Sequence, residues 1–152
     1  MAYTTADARQ GLLDTVATAI EQLGVALAAL GVAYELLDEN SADRLEEQLF
    51  GPVQKAYGRA KRTYADFAAR HRLSPAAFEQ PGPPSGSRDI RRFLDRATEG
   101  VDEAEAILVE LQDSGRLIDY GDPELRAGVA SVRELLGNVQ ASARQFQRTL
   151  GR

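Results

Sequence analysis

The stretch LDTVATAIEQLGVALAALGVAYELL, residues 13–37, decides the fold class. Leu13, Val16, Ile20, Leu23, Leu27, Leu30, Tyr34 and Leu37 follow one another at alternating steps of three and four. That is the a/d seam of a helix that packs on other helices. The same alternation returns in Phe50, Val53, Tyr57, Ala60, Tyr64, Phe67 and His71. It returns again from Ile90 through Val101 to Leu111, and from Leu125 through Leu136 to Leu150. Each seam is flanked by further apolar residues, as a helix touching two neighbours requires. No strand pattern occurs. The expected fold is all-α: a single domain, residues 1–152, forming an antiparallel up-and-down four-helix bundle. Its helices fall at about 5–38, 42–71, 87–114 and 123–150.

Punctuation sets these limits. Ser41 and Ser87 are read as N-caps of the second and third helices. Asp122 before Pro123 is a strong start for the fourth, and Gly115 a stop for the third. Gly51-Pro52 interrupts the second helix about ten residues in, where proline removes a hydrogen bond; a kink or short break is expected.

Charge alternates along the chain. Residues 1–40 carry net −5, 41–72 +3, 86–115 −4 and 116–152 +2. Sequential neighbours therefore attract in an up-and-down order, the first helix lying between the second and the fourth. The Pro/Gly-rich loop LSPAAFEQPGPPSG, residues 73–86, joins the second and third helices. Extended at about 3.3 Å per residue it is long enough for a ferritin-like crossover. The preferred reading is a loop folded over one end, with SPAAF a helical turn and Phe78 capping the core.

The composition excludes several functions. There is no Cys, hence no disulfide, thiol catalysis or Cys-ligated metal. The N-terminus lacks the basic and apolar regions of a signal peptide. The uncharged run Gln22–Tyr34 falls short of the about 20 residues that span a bilayer, so a soluble, cytoplasmic protein without a membrane segment is expected. A net charge of −5 argues against nucleic acid as the main partner.

No cofactor or metal site is expected. A di-iron bundle needs Glu-x-x-His facing inward, and this chain has no such motif and one histidine. His71 closes the second helix, where a cationic ring complements the dipole. The carboxylates Glu99, Asp102, Glu103, Glu105 and Glu110 spread over outer positions, and Asp7, Asp14, Glu21 and Glu35 form a one-position ladder along the first helix. Both sets read as solvated edges. Phosphate-binding glycine loops and the G-x-S-x-G nucleophile motif are missing, so no catalytic residue is assigned and no enzyme is expected.

Three binding readings remain. The small residues Ala17, Gly24, Gly31 and Ala33 beside the first seam suit a self-association face, giving a scaffold or interaction protein that binds itself, as a homodimer for example, or another protein. The second is an apolar small-molecule pocket between helices, lined by Tyr57, Tyr64 and Phe67. The third is an anionic-partner patch of Lys55, Arg59, Lys61 and Arg62 on the outer face of the second helix. Heptad phase separates those bases from the aromatic row, unlike a nucleic-acid stacking platform.

Overall fold

A computed structural model describes residues 4–79, 81–82 and 88–150. The described chain is all-helical, with no strand among the described residues. Helix α1 is Thr5–Leu36, α2 Glu39–Leu45, and a π-helical turn follows at Glu46–Phe50. Then come α3 Gly51–His71, α4 Ile90–Asp113, the short α5 Arg116–Tyr120, α6 Pro123–Leu136 and α7 Val139–Leu150.

Local chemistry explains most limits. Thr4 and Asp7 form a reciprocal capping box on α1. The second helix starts earlier than expected: Asp38, not Ser41, is the N-cap, its carboxylate accepting the Ser41 N–H at 2.8 Å. Ser41 is buried inside the first turn of α2. Asp89 caps α4 through the Arg91 N–H, while Ser87 lies outside the described residues. Gly115 takes a left-handed φ of +80° after α4, as its reading as a stop requires. Asp122 and Pro123 open α6 as expected.

Gly51-Pro52 acts on the turn before it. The Gly51 N–H reaches back five residues to the Glu46 carbonyl. A π turn widens the helix where the proline ring would press on the carbonyl four residues earlier. A Cβ on Gly51 would lie 2.9 Å from the Glu46 oxygen, so glycine suits that close approach. The extra residue slips the buried face to Leu45, Leu49 and Val53, and Phe50 leaves the inner row for a half-buried position. The seam reading of Phe50 is corrected accordingly.

Directions follow from cross-contacts. Tyr57 meets Gly24, Phe50 meets Tyr34, and Ser74 pairs with Gln10, so α3 runs antiparallel to α1. Gly100 lies against Gln22 and Ala26, and the segment after α4 returns to Arg9, whose Nε donates to the Tyr120 carbonyl. Thus α4 is also antiparallel to α1, and α3 and α4 run the same way. The up-and-down order and the loop over one end are both corrected: the segment after α3 is a long crossover. It leaves Gln10 at Ser74, packs Phe78 on Tyr64, and passes Gly24 at Pro81. Residues 74–78 form no helical turn.

The charge argument fails for a reason of magnitude. The broadest helix packing is α1 on α4, both acidic segments, followed by α3 on α6 and α1 on α3. Ala19, Ala26 and Ala33 recur every seven residues on α1 and are buried, as are Ala97, Gly100 and Ala104 on α4. Small residues bring the two backbones close. Burying one leucine stabilises by about 1.5–3 kcal/mol, whereas an exposed charge pair is worth about 0.2–1 kcal/mol. Apolar burial wins.

The fourth helix is not continuous. It breaks at Gly137-Asn138, and α7 turns to pack on α4 and the π turn. Val139 and Ala143 come up beside Leu30, Leu49, Val53 and Leu94, closing that end of the core.

Among the described residues, α1 alone is long and apolar enough by length and composition to cross a membrane. Its best 18-residue window has a mean hydropathy of 1.7 and is 56% buried within the fold. The uncharged run by itself understates this helix.

Mid-helix glycines test the packing. A Cβ on Gly100 would stand 2.8 Å from the Gln22 carbonyl and 3.2 Å from the Ala26 Cβ, whereas Gly58 has open space. Gly100→Ala is expected to destabilise by about 1–2 kcal/mol despite the better helix former, and Gly58→Ala to stabilise by about 0.5–1 kcal/mol. Thermal melts of the two variants should move in opposite directions.

Candidate ligand groove

The crossover leaves a groove on the α1–α3 face. Its upper part holds about 440 Å³ between the second half of α1 and the start of α3, walled by Leu27, Gly31, Val32, Phe50, Gln54 and Pro81. A continuation of about 280 Å³ runs to the end of α1, where Tyr34, Glu35 and Glu46 join Phe50. Tyr34 and Phe50 meet edge to face, with centroids 6.3 Å apart and planes at 88°. Beyond Pro81 lies a lower hollow of about 270 Å³ lined by Ile20, Gly24, Tyr57, Phe78 and Glu79. Pro81 therefore divides one trough into two.

Gly31 marks the upper part. The other small positions of α1 are filled from inside the chain: Pro81 Cδ lies 3.6 Å and the Tyr57 ring 3.7 Å from a Cβ placed on Gly24, and Ala33 is fully buried. A Cβ on Gly31 would meet nothing within 4 Å among the described residues. A helical glycine costs about 1 kcal/mol against alanine, and at Gly31 no close contact with the described residues offsets it. Ala17 is half-buried against the core. The four small residues thus do not share one open face.

The tyrosine row divides by role. Tyr57 is 8% exposed and walls the lower hollow; burial pushes its hydroxyl pKa up, and the Lys61 ammonium sits 4.8 Å from its ring centroid. Tyr64 is structural: its hydroxyl accepts the Ala76 N–H at 2.7 Å, and its ring meets Phe78 with centroids 4.8 Å apart. It fastens the crossover and lines no part of the groove. Phe67 is fully buried, its ring tilted 58° to that of His71 with centroids 4.7 Å apart.

The basic set is scattered. Lys61 is engaged with Tyr57. Lys55 lies in a polar cleft of about 760 Å³ between α3 and the α6–α7 break, with Glu47, Ser131, Glu134 and Asn138. Arg62 is exposed and Arg59 half-buried. That cleft mixes charges of both signs with amides and hydroxyls, and is a wetter surface than the groove.

His71 has a definite place. Its Nε2 is 2.8 Å from Asp122 Oδ2, while Arg70 donates to both Asp122 oxygens at 2.7 and 2.9 Å and the Leu125 N–H donates at 2.7 Å. Burial works to raise the Asp122 carboxyl, but Arg70, Leu125 and His71 outweigh it and hold the pKa well below the usual carboxylate range. One carboxylate caps α6 and ties it to the end of α3. The acidic stretch of α4 is a solvated face: Arg96 pairs loosely with Glu99 at 3.8 Å, and Gln140 donates to Asp102. No group of His and carboxylates that could hold a metal occurs among the described residues.

Gln54, Pro81 and Glu46 are groove residues that the heptad reading passes over, and Glu35, read as part of a solvated edge, also lines the groove. The available signal was Gly51-Pro52, which announces a disturbed turn beside Phe50. Comparison with protein-family models, curated proteins and solved structures finds no match to this chain.

Proposed function

We propose that this protein is a non-enzymatic, soluble, cytoplasmic binding module that takes an apolar small molecule in the upper groove between α1 and α3. The framework is a four-helix bundle with a heptad-type core, closed by one long crossover. The observation that carries the reading is Gly31, a mid-helix glycine facing a concave, mostly apolar trough with no atom of the described residues packed where its Cβ would stand. Preformed apolar concavities with a few polar groups are the usual form of small-ligand sites. A self-associating scaffold has less support, because Gly24 and Ala33 are already covered within the chain.

The test is a titration with the neutral fluorescent probe N-phenyl-1-naphthylamine. The wild type is expected to bind it saturably. Gly31→Leu directs a side chain into the trough from a position whose Cβ meets no atom of the described residues within 4 Å. It should raise stability by about 0.5–1 kcal/mol through helix propensity while abolishing binding. Saturable binding that survives in a stable Gly31→Leu variant overturns the proposal, as does no binding by the wild type.

A further inference from the structure

We infer that the ligand of the upper groove is an organic cation with an apolar body. This inference rests on the groove reading above and names the ligand's charge. Where the groove reaches the end of α1, its carboxylate lining residues are Glu35 and Glu46, with no lysine or arginine among the lining residues. Both carboxylates are exposed at the rim, and neither is in an ion pair among the described residues.

The backbone adds to the same sign. The groove ends on the last turn of a 32-residue helix that has no basic residue there. A helix C-terminus carries roughly half a negative charge, ordinarily complemented by Lys, Arg or His within that turn. Here the complement is missing, and two carboxylates stand beside it. The walls fit a cation as well. Tyr34 and Phe50 supply aromatic rings, whose faces attract ammonium-type groups within about 6 Å. The fold uses cation–ring contacts elsewhere: Lys61 on Tyr57, Arg44 on Phe146 and Arg70 on Phe67.

Among the described residues no lysine or arginine lines the groove; Arg44, the base nearest Glu46 in the chain, acts on Asp38 and sits 5.6 Å from the Phe146 ring centroid. Lys55 lines the polar cleft on the other side of α3. Arg91 and Arg92, at the start of α4, are exposed and do not line the groove. An anion would meet Glu35, Glu46 and the end of α1 with no counter-charge. A neutral ligand would leave the potential unused.

The experiment is calorimetric titration of the full chain with three probes of similar shape: tetraphenylphosphonium, the neutral triphenylphosphine oxide, and tetraphenylborate. The phosphonium is expected to bind about tenfold tighter than the neutral probe, with the borate weakest, a difference of about 1.4 kcal/mol supplied by the rim carboxylates together with the helix end. In the Glu35→Gln/Glu46→Gln variant the preference for the cation over the neutral probe should shrink about fivefold. Equal binding of cation and neutral probe by the wild type, or an unchanged preference in the variant, overturns the charge inference and leaves the groove reading standing. Failure of all three probes and of N-phenyl-1-naphthylamine removes both.

Discussion

Replacing Gly128 with alanine is expected to lower the melting temperature by roughly 5–10 °C, the equivalent of about 2–3 kcal/mol. Helix propensity points the other way by about 1 kcal/mol, so packing must win by a clear margin. The contact explains why it does. A Cβ on Gly128 would overlap Thr63 Oγ1 and Cγ2 and lie 2.9 Å from its Cβ. Thr63 cannot swing aside easily. It is β-branched, it is buried at 6% exposure, and its hydroxyl donates to the Arg59 carbonyl at 2.8 Å. The α3–α6 contact is therefore set by one glycine opposite one threonine. Adding Thr63→Ala to Gly128→Ala removes the two closest atoms and should recover part of the loss. A double-mutant cycle measured by denaturant unfolding should show a coupling of about 1 kcal/mol or more between the two positions. Simple additivity would mean that α6 does not approach α3 this closely.

Asp122→Ala is expected to cost about 2–3 kcal/mol, the sum of a lost N-cap and a lost, partly buried ion pair. Asp122 accepts four hydrogen bonds, from Arg70 twice, Leu125 and His71, and its side chain is 15% exposed. Asp122→Asn keeps a capping oxygen but no charge, so it should cost less, about 1 kcal/mol. The pH dependence has a definite sign. The folded carboxyl titrates below its ordinary value of 3.8, so the unfolded chain takes up this proton first as pH falls. The stability Asp122 contributes is full above that ordinary value and drains away as pH drops towards the folded pKa. The gap between wild type and Asp122→Asn should hold steady down to about pH 5 and close at lower pH. A gap that widened on acidification would contradict the arrangement.

The helices were legible because their seams repeat. Leu13 through Leu30 are buried where the three-four spacing puts them, and Asp122, Pro123 and Gly115 mark their boundaries by mechanisms that act within a few residues. The order of the helices was not legible. The same seams serve an up-and-down chain and a crossover chain equally well, and the charge pattern used to choose between them is a sum of weak surface terms. The choice is made by Ala26 against Gly100 and by Thr63 against Gly128, contacts between residues more than 60 apart in sequence. The break at Gly137 was hidden for a related reason. Leu136 and Val139 keep the step of three across it, and only the need to cover Leu94 and Val53 turns α7 away.

The groove was half legible. Tyr57 and Gly31 were singled out for separate reasons, as members of an aromatic row and of a small-residue face. Phe50 was put in the core because its spacing fits the seam. The π turn at Glu46–Phe50 then rotates Leu49 inward and Phe50 outward, and that rotation makes the upper wall. Pro81 comes to the groove only because the crossover runs along α1, a consequence of topology that no local pattern records.

The central claim is that the trough beside Gly31 receives a ligand. It is tested most directly by following backbone amide resonances while N-phenyl-1-naphthylamine is added to isotope-labelled protein. The account predicts saturable shifts centred on Gly31, Glu35, Phe50 and Gln54. Shifts centred instead on Lys55, Ser131 and Asn138 in the polar cleft, or no saturable shift anywhere, would contradict it.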